Sequence, residues 1–294
     1  MRRIAGSIAV LSALLALVLA ASAQATPSAG AASKGTVSAL FAGSLVDYME
    51  DDFGPSFQRA DKYSFEGFGG GSTELANEIK GGVRQGDVFV SAAAAADQAL
   101  EGSANGKWVS WYSTFMASPL ELAYNPQSSF GKELKSGVPW YEVLTKPGIR
   151  VGRTDPALDP KGKLTVEAVE NASKKLHDAA LASALSSFEV FPETSLVGRL
   201  QAGQLDAGFF YAVEAKTAKL ATVPLTPVYK VADYTVTILN GAPDPSGAAA
   251  LVRYLLNTER TSTLKKNGLT PIKPKFSGRA SSVPAGLRHL VGAG

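Results

Sequence analysis

The apolar positions of the chain fall into short strand-like runs that alternate with helical segments. In the first third of the chain, the apolar runs lie at 37–41, 63–68 and 87–91. Each is followed by a stretch with helical spacing or alanine-rich composition, beginning near residues 44, 73 and 92. Repeated alternation of strand and helix is typical of a parallel sheet with helices on its faces. The sequence therefore predicts an α/β fold.

The pattern changes in the middle of the chain. Two apolar runs, 111–117 and 120–124, are separated by Pro119, and we expect the chain to cross there into a second lobe. Further strands are predicted at 150–153, 206–211 and 229–239, and helices at 140–144, 165–185 and 196–202. A last helix is predicted from Ser246 to about Asn267. The tail from Lys275 contains Ser, Gly and Pro, and we expect it to be loose.

The first 25 residues have the pattern of a secretion signal. Arg2 and Arg3 precede an apolar run from Ile4 to Ala21, and Ala23-Gln24-Ala25 offers a cleavage site with small residues. This order indicates export by the general secretory route, with cleavage after Ala25. An uncleaved membrane anchor is the alternative, since the run is almost long enough to span a bilayer.

Composition narrows the class of protein. With 45% apolar and 19% charged residues the chain is globular, not disordered. The formal net charge is +3, and two of those charges are Arg2 and Arg3, which argues against nucleic acid as a partner. The chain has no cysteine, which excludes disulfides, thiolate chemistry, Cys-based zinc sites and a lipid-modified cysteine.

The glycine-rich run 68–75, Phe-Gly-Gly-Gly-Ser-Thr-Glu-Leu, is the strongest candidate for a binding loop. Ser72 or Thr73 is predicted to cap the helix that follows, and such a turn presents free amides and a positive dipole end to an anion. An ordinary flexible turn is the alternative. A second run of this kind, Ala-Gly-Ser-Leu at 42–45, follows the preceding strand. We expect Ser44 and Ser72 to face each other beyond the strand ends and to hold an oxyanion.

Several motifs together resemble a known family. They are Ala-Gly-Ser-Leu at 42–45, Gly-Gly-Ser-Thr-Glu-Leu-Ala at 70–76, Asp-Val-Phe-Val-Ser-Ala at 87–92, Asp-Pro-Ala-Leu-Asp-Pro-Lys-Gly at 155–162, Gly-Phe-Phe-Tyr at 208–211 and Asn-Gly-Leu-Thr-Pro-Ile at 267–272. Over residues 36 to about 275 the chain resembles the periplasmic molybdate/tungstate-binding proteins, the substrate-binding components of ATP-driven importers. The resemblance implies an α/β periplasmic binding protein fold of type II, in which two crossing strands act as the hinge between two lobes.

The resemblance also implies boundaries and a binding site. A linker would cover 26–35, lobe 1 would comprise 36–117 and 235–275, lobe 2 would comprise 118–234, and a tail would follow from 276 to 294. The oxyanion donors would fall on Ser44, Ser72, the backbone N–H near Asp159, the helix start at Glu193 and the hydroxyl of Tyr211. A buried dianion needs several such donors, and hydroxyls, amides and helix termini provide them without a fixed countercharge.

Two positions leave alternatives open. Asp159 would repel an oxyanion, or would simply cap the following turn. In the archaeal branch of the family an acid in this turn is a direct ligand of the metal, paired with a glutamate just ahead of the tyrosine. Here Phe210 stands at that place, and Glu214 would have to swing in. Tyr211 could be a plain core tyrosine, and Lys161 is predicted to be a solvated loop charge.

We therefore expect an extracytoplasmic, monomeric receptor that captures molybdate or tungstate and delivers it to the membrane permease of an ABC importer. It is not expected to be an enzyme, to bind nucleic acid, or to need a cofactor or a free metal cation. The first alternative is the same fold with another anion, such as sulfate, phosphate or an organic acid, or with ferric iron. The second is a secreted serine hydrolase, which would need a general base near Ser44 or Ser72, and neither His177 nor His289 lies near them in sequence.

Overall fold

The computed structural model describes residues 33–294, and the strands and helices of this part alternate along the chain. The strands are β1 (Thr36–Ala42), β2 (Ser64–Gly70), β3 (Val88–Ser91), β4 (Trp111–Tyr124), β5 (Val151–Thr154), β6 (Glu189–Phe191), β7 (Ala207–Tyr211), β8 (Ala221–Pro224), β9 (Val231–Ile238) and β10 (Thr270–Gly278). The helices are α1 (Gly54–Asp61), α2 (Ser72–Lys80), α3 (Ala94–Gln98), α4 (Ser129–Lys135), α5 (Trp140–Leu144), α6 (Pro160–Leu176), α7 (Ala179–Ala184), α8 (Leu196–Gln201), α9 (Ala212–Thr217), α10 (Pro245–Leu255), α11 (Thr261–Lys266) and α12 (Arg288–Val291). The predicted signal at 1–25 and most of the predicted linker lie outside the described residues.

The long strand β4 is shared by two halves of the sheet. Its residues 113–119 pair with β9 and its residues 111–117 with β10, whereas its residues 120–124 pair with β7 and its residues 121–124 with β8. The first half-sheet continues from β9 through β3 and β1 to β2, and the second continues from β7 through β5 to β6. The prediction of two strands broken at Pro119 is wrong. Proline lacks an amide donor, but it stands where β4 changes partners, so the strand continues through it.

The predicted parallel strands of the first half are confirmed. β1 pairs in parallel with both β2 and β3, so the carboxyl ends of all three strands meet at one edge. In the second half, β5 pairs in parallel with β6 and β7. All five residues of β7 are buried, as expected for a strand covered on both faces. The mixed α/β fold predicted from the sequence is therefore confirmed.

The C-terminal region is better ordered than the sequence suggested. The predicted last helix is interrupted between α10 and α11, and the tail from Lys275 is not loose. Residues 270–278 form β10 against β4, and Val283, Leu287 and Val291 are buried in the main core. These three side chains are spaced four residues apart, so the turns and α12 present them together to the sheet. Among residues 33–294, no helix is both long and apolar enough to cross a membrane.

Candidate functional site

Ser44 and Ser72 occupy equivalent places at the carboxyl edge of the first half-sheet. Ala42 pairs with Gly70 at the ends of β1 and β2, and each serine follows two residues later. Both side chains are buried. Ser44 lies inside a 3-10 turn. Ser72 does not cap a helix, contrary to the sequence prediction, because it is already the first residue of α2. Since β2 runs to Gly70, only Gly71 remains as the turn.

The two hydroxyls have different partners. Ser72 Oγ accepts a hydrogen bond from the amide of Ala92 at 3.0 Å, and its own proton has no acceptor among the described residues. Ser44 Oγ lies 2.8 Å from the hydroxyl of Tyr234 on β9. The Tyr234 ring packs edge-on against that of Tyr211, with 6.1 Å between ring centroids. Tyr234 thus brings Ser44 and Tyr211 to one place, and sequence reasoning missed it because it alternates in β9 like any core residue.

The hydroxyl of Tyr211 is available for a hydrogen bond beside Tyr234. The Tyr211 side chain is buried at the end of β7, but its hydroxyl has no hydrogen-bond partner among residues 33–294. Burial and the neighbouring acids raise the pKa of this phenol well above its ordinary value, so the hydroxyl remains a proton donor at neutral pH. A buried polar group without a partner is costly, and it therefore marks a position where a ligand atom would be stabilising.

The glycines of the two loops allow the halves of the molecule to approach closely. A Cβ atom on Gly71 would lie 2.6 Å from the carbonyl oxygen of Leu158, and the amide of Glu74 donates to that same oxygen at 3.0 Å. A Cβ atom on Gly43 would lie 1.5 Å from Glu193 Oε2. The glycines are needed because the Leu158 backbone packs against Gly71 and the Glu193 side chain packs against Gly43. We call this contact region, between the loops after β1 and β2 and the segments 155–162 and 193–195, the junction.

Lys161 lies at the centre of the junction, and the prediction of a solvated loop charge is wrong. Its side chain is fully buried, and its Nζ atom lies 2.6 Å from Glu214 Oε1 and 3.0 Å from Glu193 Oε1. Nζ also lies 5.3 Å from the centre of the Phe210 ring. The turn continues into α6 at Pro160, earlier than predicted, and this places Lys161 on a helix start that points into the molecule.

Glu214 already lies in the site, so no swing is required. It is the third residue of α9, and its Oε2 reaches back to accept a hydrogen bond from the amide of Tyr211 at 2.9 Å. Its other oxygen accepts from Lys161. A glutamate at the third position of a helix commonly bonds back to the residue before the helix. This capping geometry was the signal that could have placed Glu214 from the sequence.

Asp159 caps α6, which agrees with its predicted role as the cap of the following turn. Its Oδ1 accepts from the amide of Lys161 at 3.0 Å, whereas its Oδ2 is buried without a partner. The amide of Asp159 donates to Asp155, and Pro160 has none to offer. The amides of Asp159 and Lys161 thus bond within the turn, and the implied oxyanion contact through a backbone N–H near Asp159 remains a prediction.

Burial and proximity shift the acidity of the whole cluster. Burial raises the pKa of Glu193 to about 7, against the opposing effect of Lys161, and it raises the pKa of Asp159 to about 6. It also raises the pKa of Glu214. Burial alone would lower the pKa of Lys161, but the surrounding carboxylates outweigh it and the pKa is raised. Lys161 is therefore a permanent cation, while the carboxyls of Glu193 and Asp159 can change protonation near neutrality.

At Glu193 the side chain, rather than the helix start, occupies the junction. Its Oε2 is buried without a hydrogen-bond partner beside Gly43. Three small cavities of about 240, 140 and 70 Å³ lie around the junction, and Glu193 is part of the lining of each. Within residues 33–294, no three His, Cys, Asp or Glu side chains are grouped so that they could hold a metal ion. All five predicted site residues are buried, together with Lys161, Glu214 and Tyr234.

Comparison with known proteins places the chain in a family. A candidate ABC transporter molybdenum-binding protein of Haloferax volcanii is 32% identical over 236 residues, which is 79% of this chain and 71% of the relative. The fold resembles the Azotobacter vinelandii periplasmic molybdate-binding protein, with a TM-score of 0.63 and 16% identity over 81% of this chain and all of that one. It also resembles the sulfate-binding protein SubI of Mycobacterium tuberculosis, with a TM-score of 0.62 and 15% identity over 87% of this chain and 91% of that one.

The fold is thus that of the periplasmic binding proteins, and the relatives are solute-binding transport proteins, not enzymes. The model of the family described as "Bacterial extracellular solute-binding protein" matches residues 37–270, which is most of the chain and includes every residue of the junction. The chain belongs to the bacterial extracellular solute-binding protein family.

Proposed function

We propose that the protein captures a tetrahedral oxyanion, molybdate or tungstate, at the junction and delivers it to the membrane permease of an ABC importer. The observation that carries the proposal is the pairing of a fully buried ammonium, Lys161, with buried hydroxyls whose protons have no acceptor, those of Ser72 and Tyr211. Donors of this kind suit an oxyanion, and hydrogen bonds to charged groups contribute roughly 1.5–3 kcal/mol each. The molybdenum-binding relative supports the choice of ligand.

The site differs from the uncharged cage that the resemblance implied. Lys161 provides a fixed positive charge, and three carboxyls surround it. The proposed donors are Ser44, Ser72, Tyr211 and Lys161, with Tyr234 orienting Ser44. Glu193 and Asp159 contribute side chains, rather than backbone amides, to the lining.

Thermal unfolding with added anions tests the proposal. A ligand at a thousand times its dissociation constant adds about 4 kcal/mol to the free energy of unfolding. Molybdate or tungstate should therefore raise the melting temperature of residues 26–294 clearly, whereas sulfate and citrate should raise it little. A rise with sulfate or citrate alone would assign the site to another anion, a possibility that the fold of the sulfate-binding neighbour keeps open.

Tyr211→Phe is the sharpest single substitution for the same site. Because the Tyr211 hydroxyl has no protein partner, its removal should leave the stability of the ligand-free protein unchanged or slightly raised. The affinity for molybdate or tungstate, measured by titration calorimetry, should fall roughly tenfold or more through the loss of one charged hydrogen bond. Tyr48→Phe is the matched control, since the Tyr48 hydroxyl is also buried without a partner among residues 33–294, but Tyr48 packs against Phe53 and lies near Arg260 and Asp52, not near the junction. Equal affinities in both variants would remove Tyr211 from the site.

Ferric iron is the second candidate, because the structure brings two tyrosines to the site where the sequence indicated one. Tyr234 lies beside Tyr211, whereas the acidic side chains of residues 33–294 form no group that could hold a metal ion by themselves. Phenolate and carboxylate oxygens are hard ligands that suit such a cation. Addition of ferric citrate distinguishes the two functions. A visible tyrosinate-to-iron absorption band together with a higher melting temperature would favour iron, and its absence would favour the oxyanion.

A further inference from the structure

The charges of the junction pose a problem for any doubly negative ligand. Three buried carboxyls, those of Asp159, Glu193 and Glu214, surround the single ammonium of Lys161. With all three ionised, the cluster already carries more negative than positive charge. Adding a dianion to this cluster in a buried place would leave charge uncompensated, which costs several kcal/mol per ion. Negative charge must therefore leave the cluster, or be neutralised by protons, when an oxyanion binds.

Glu193 is the carboxyl placed to leave. Glu214 is held at both oxygens, by Lys161 and by the amide of Tyr211, and Asp159 is fixed by its cap on α6. Within the part of the chain that the structure describes, Glu193 is held at only one oxygen, by Lys161, and its other oxygen has no partner. It also lies on a short 3-10 turn after Pro192, not within a long helix.

The Glu193 carboxylate occupies the place where an anion would bind. Its free oxygen lies against Gly43, next to Ser44, on the side of the first half-sheet where the hydroxyl donors lie. The three cavities of the junction meet only at Glu193, which lines the one beside Asp159, the one beside Ser44 and the one beside the glycine segment 69–71. If Glu193 turned away, these spaces would lose the side chain that they share, and Lys161 would lose one of its two partners.

We propose that Glu193 acts as an internal substitute for the anion: in the ligand-free protein its carboxylate occupies the oxyanion position on Lys161, and the incoming oxyanion takes that place by displacing it. This inference rests on the proposed oxyanion function and deepens it. Lys161 then provides the fixed positive charge opposite the ligand. Glu193 competes with the ligand for Lys161 and thereby lowers the affinity for the ligand.

The displacement of Glu193 by the oxyanion should depend on pH, because the Glu193 carboxyl can take up a proton. The titratable and charged groups that face Glu193 are Lys161 on α6, Asp159 at its N-cap, Glu214 on α9, Tyr211 at the end of β7 and Tyr234 within β9. The pKa of Glu193 is raised to about 7, so below that pH the carboxyl is neutral and releases Lys161 more readily. The affinity for the oxyanion should therefore fall as the pH rises from 6.5 to 8.5.

The test compares Glu193→Gln, Glu193→Ala and the control Glu189→Gln in titrations with molybdate and tungstate at pH 6.5 and pH 8.5. Glu189 is an exposed glutamate on β6, four residues before Glu193, and its substitution makes the same charge change. At pH 8.5, Glu193→Gln should bind about tenfold more tightly than the wild type, and its affinity should change little with pH. Glu193→Ala should bind at least as tightly, because it removes both the charge and the occupying group. Glu189→Gln should match the wild type at both pH values.

The outcomes separate this inference from the proposed function. If the wild type binds and Glu193→Gln binds equally or more weakly, Glu193 is not a substitute anion, although the receptor function stands. If only the Glu193 variants bind, the inference is supported in its strongest form. If none of the proteins binds at either pH, both proposals are overturned. Crystals soaked in tungstate give an independent readout. The tungsten peak should lie beside Lys161 and Gly43 with Glu193 turned away, and a peak elsewhere with Glu193 still on Lys161 overturns the inference.

Discussion

Lys161→Met is expected to destabilise the ligand-free protein by about 3–5 kcal/mol at pH 8, the usual cost of removing one partner from a buried ion pair. Lys161 is fully buried and neutralises two carboxylates from separate segments, Glu193 and Glu214. Without it, those groups must either remain ionised without a counter-charge or take up protons. Urea unfolding at several pH values measures the loss.

The pH dependence of the loss identifies its cause. In the variant, the carboxyls have folded-state pKa values still further above those of the unfolded chain, so the folded state binds more protons than the unfolded state. Stability must then fall as the pH rises, and the loss at pH 5 should be less than half of that at pH 8. Lys146→Met is the control, because Lys146 pairs with Glu133 at a partly exposed position where an ion pair contributes about 0–1 kcal/mol. Equal losses at pH 5 and pH 8 would point to lost packing instead of lost charge.

Gly71→Ala is expected to lower the affinity for the ligand about tenfold, which is about 1.4 kcal/mol, without unfolding the protein. Gly71 has a φ of −56°, which alanine adopts without strain, so the helix start itself is not disturbed. The added Cβ would lie 2.6 Å from the carbonyl oxygen of Leu158, and backbone cannot turn away as a side chain can. The contact between Leu158 and the amide of Glu74 should therefore open, which exposes the ligand site to water.

Gly198→Ala is the matched control for this substitution. Gly198 lies in α8 with no atom within 4 Å of its would-be Cβ, and alanine is the better helix former. Its affinity should equal that of the wild type, with slightly higher stability. Affinity is measured by calorimetry, and the compactness of the ligand-bound protein by small-angle X-ray scattering. If Gly71→Ala binds as tightly as Gly198→Ala, the close approach at Gly71 contributes nothing to binding.

The lobe boundaries at 36–117 with 235–275 and at 118–234 remain predictions, as does the monomeric state. The shared strand β4 is compatible with them, because its partners change between residues 119 and 120. The family is consistent with export and with transport rather than catalysis. The secretion signal itself lies outside the described residues.

The sequence by itself determined the order of strands and helices in the first half and most strands of the second. The spacing of apolar residues along the chain depends on which side chains are buried locally. It therefore distinguishes a strand covered on both faces, such as β7, from a half-exposed helix. Because loops that follow parallel strands end at one edge of the sheet, the sequence also pointed to Ser44 and Ser72. Asp159, Glu193 and Tyr211 came from the family resemblance, and all five residues are buried.

Only the tertiary structure decided the charge of the site. Lys161, Glu193 and Glu214 are separated by tens of residues along the chain, and whether a lysine in a turn is solvated or buried depends on acids that arrive from other segments. The same holds for Tyr234, which joins Ser44 to Tyr211 from a strand that pairs with β4. Local sequence patterns do not predict such contacts between distant segments, because the free energy of a buried charge depends on its neighbours in space and not on its neighbours in sequence.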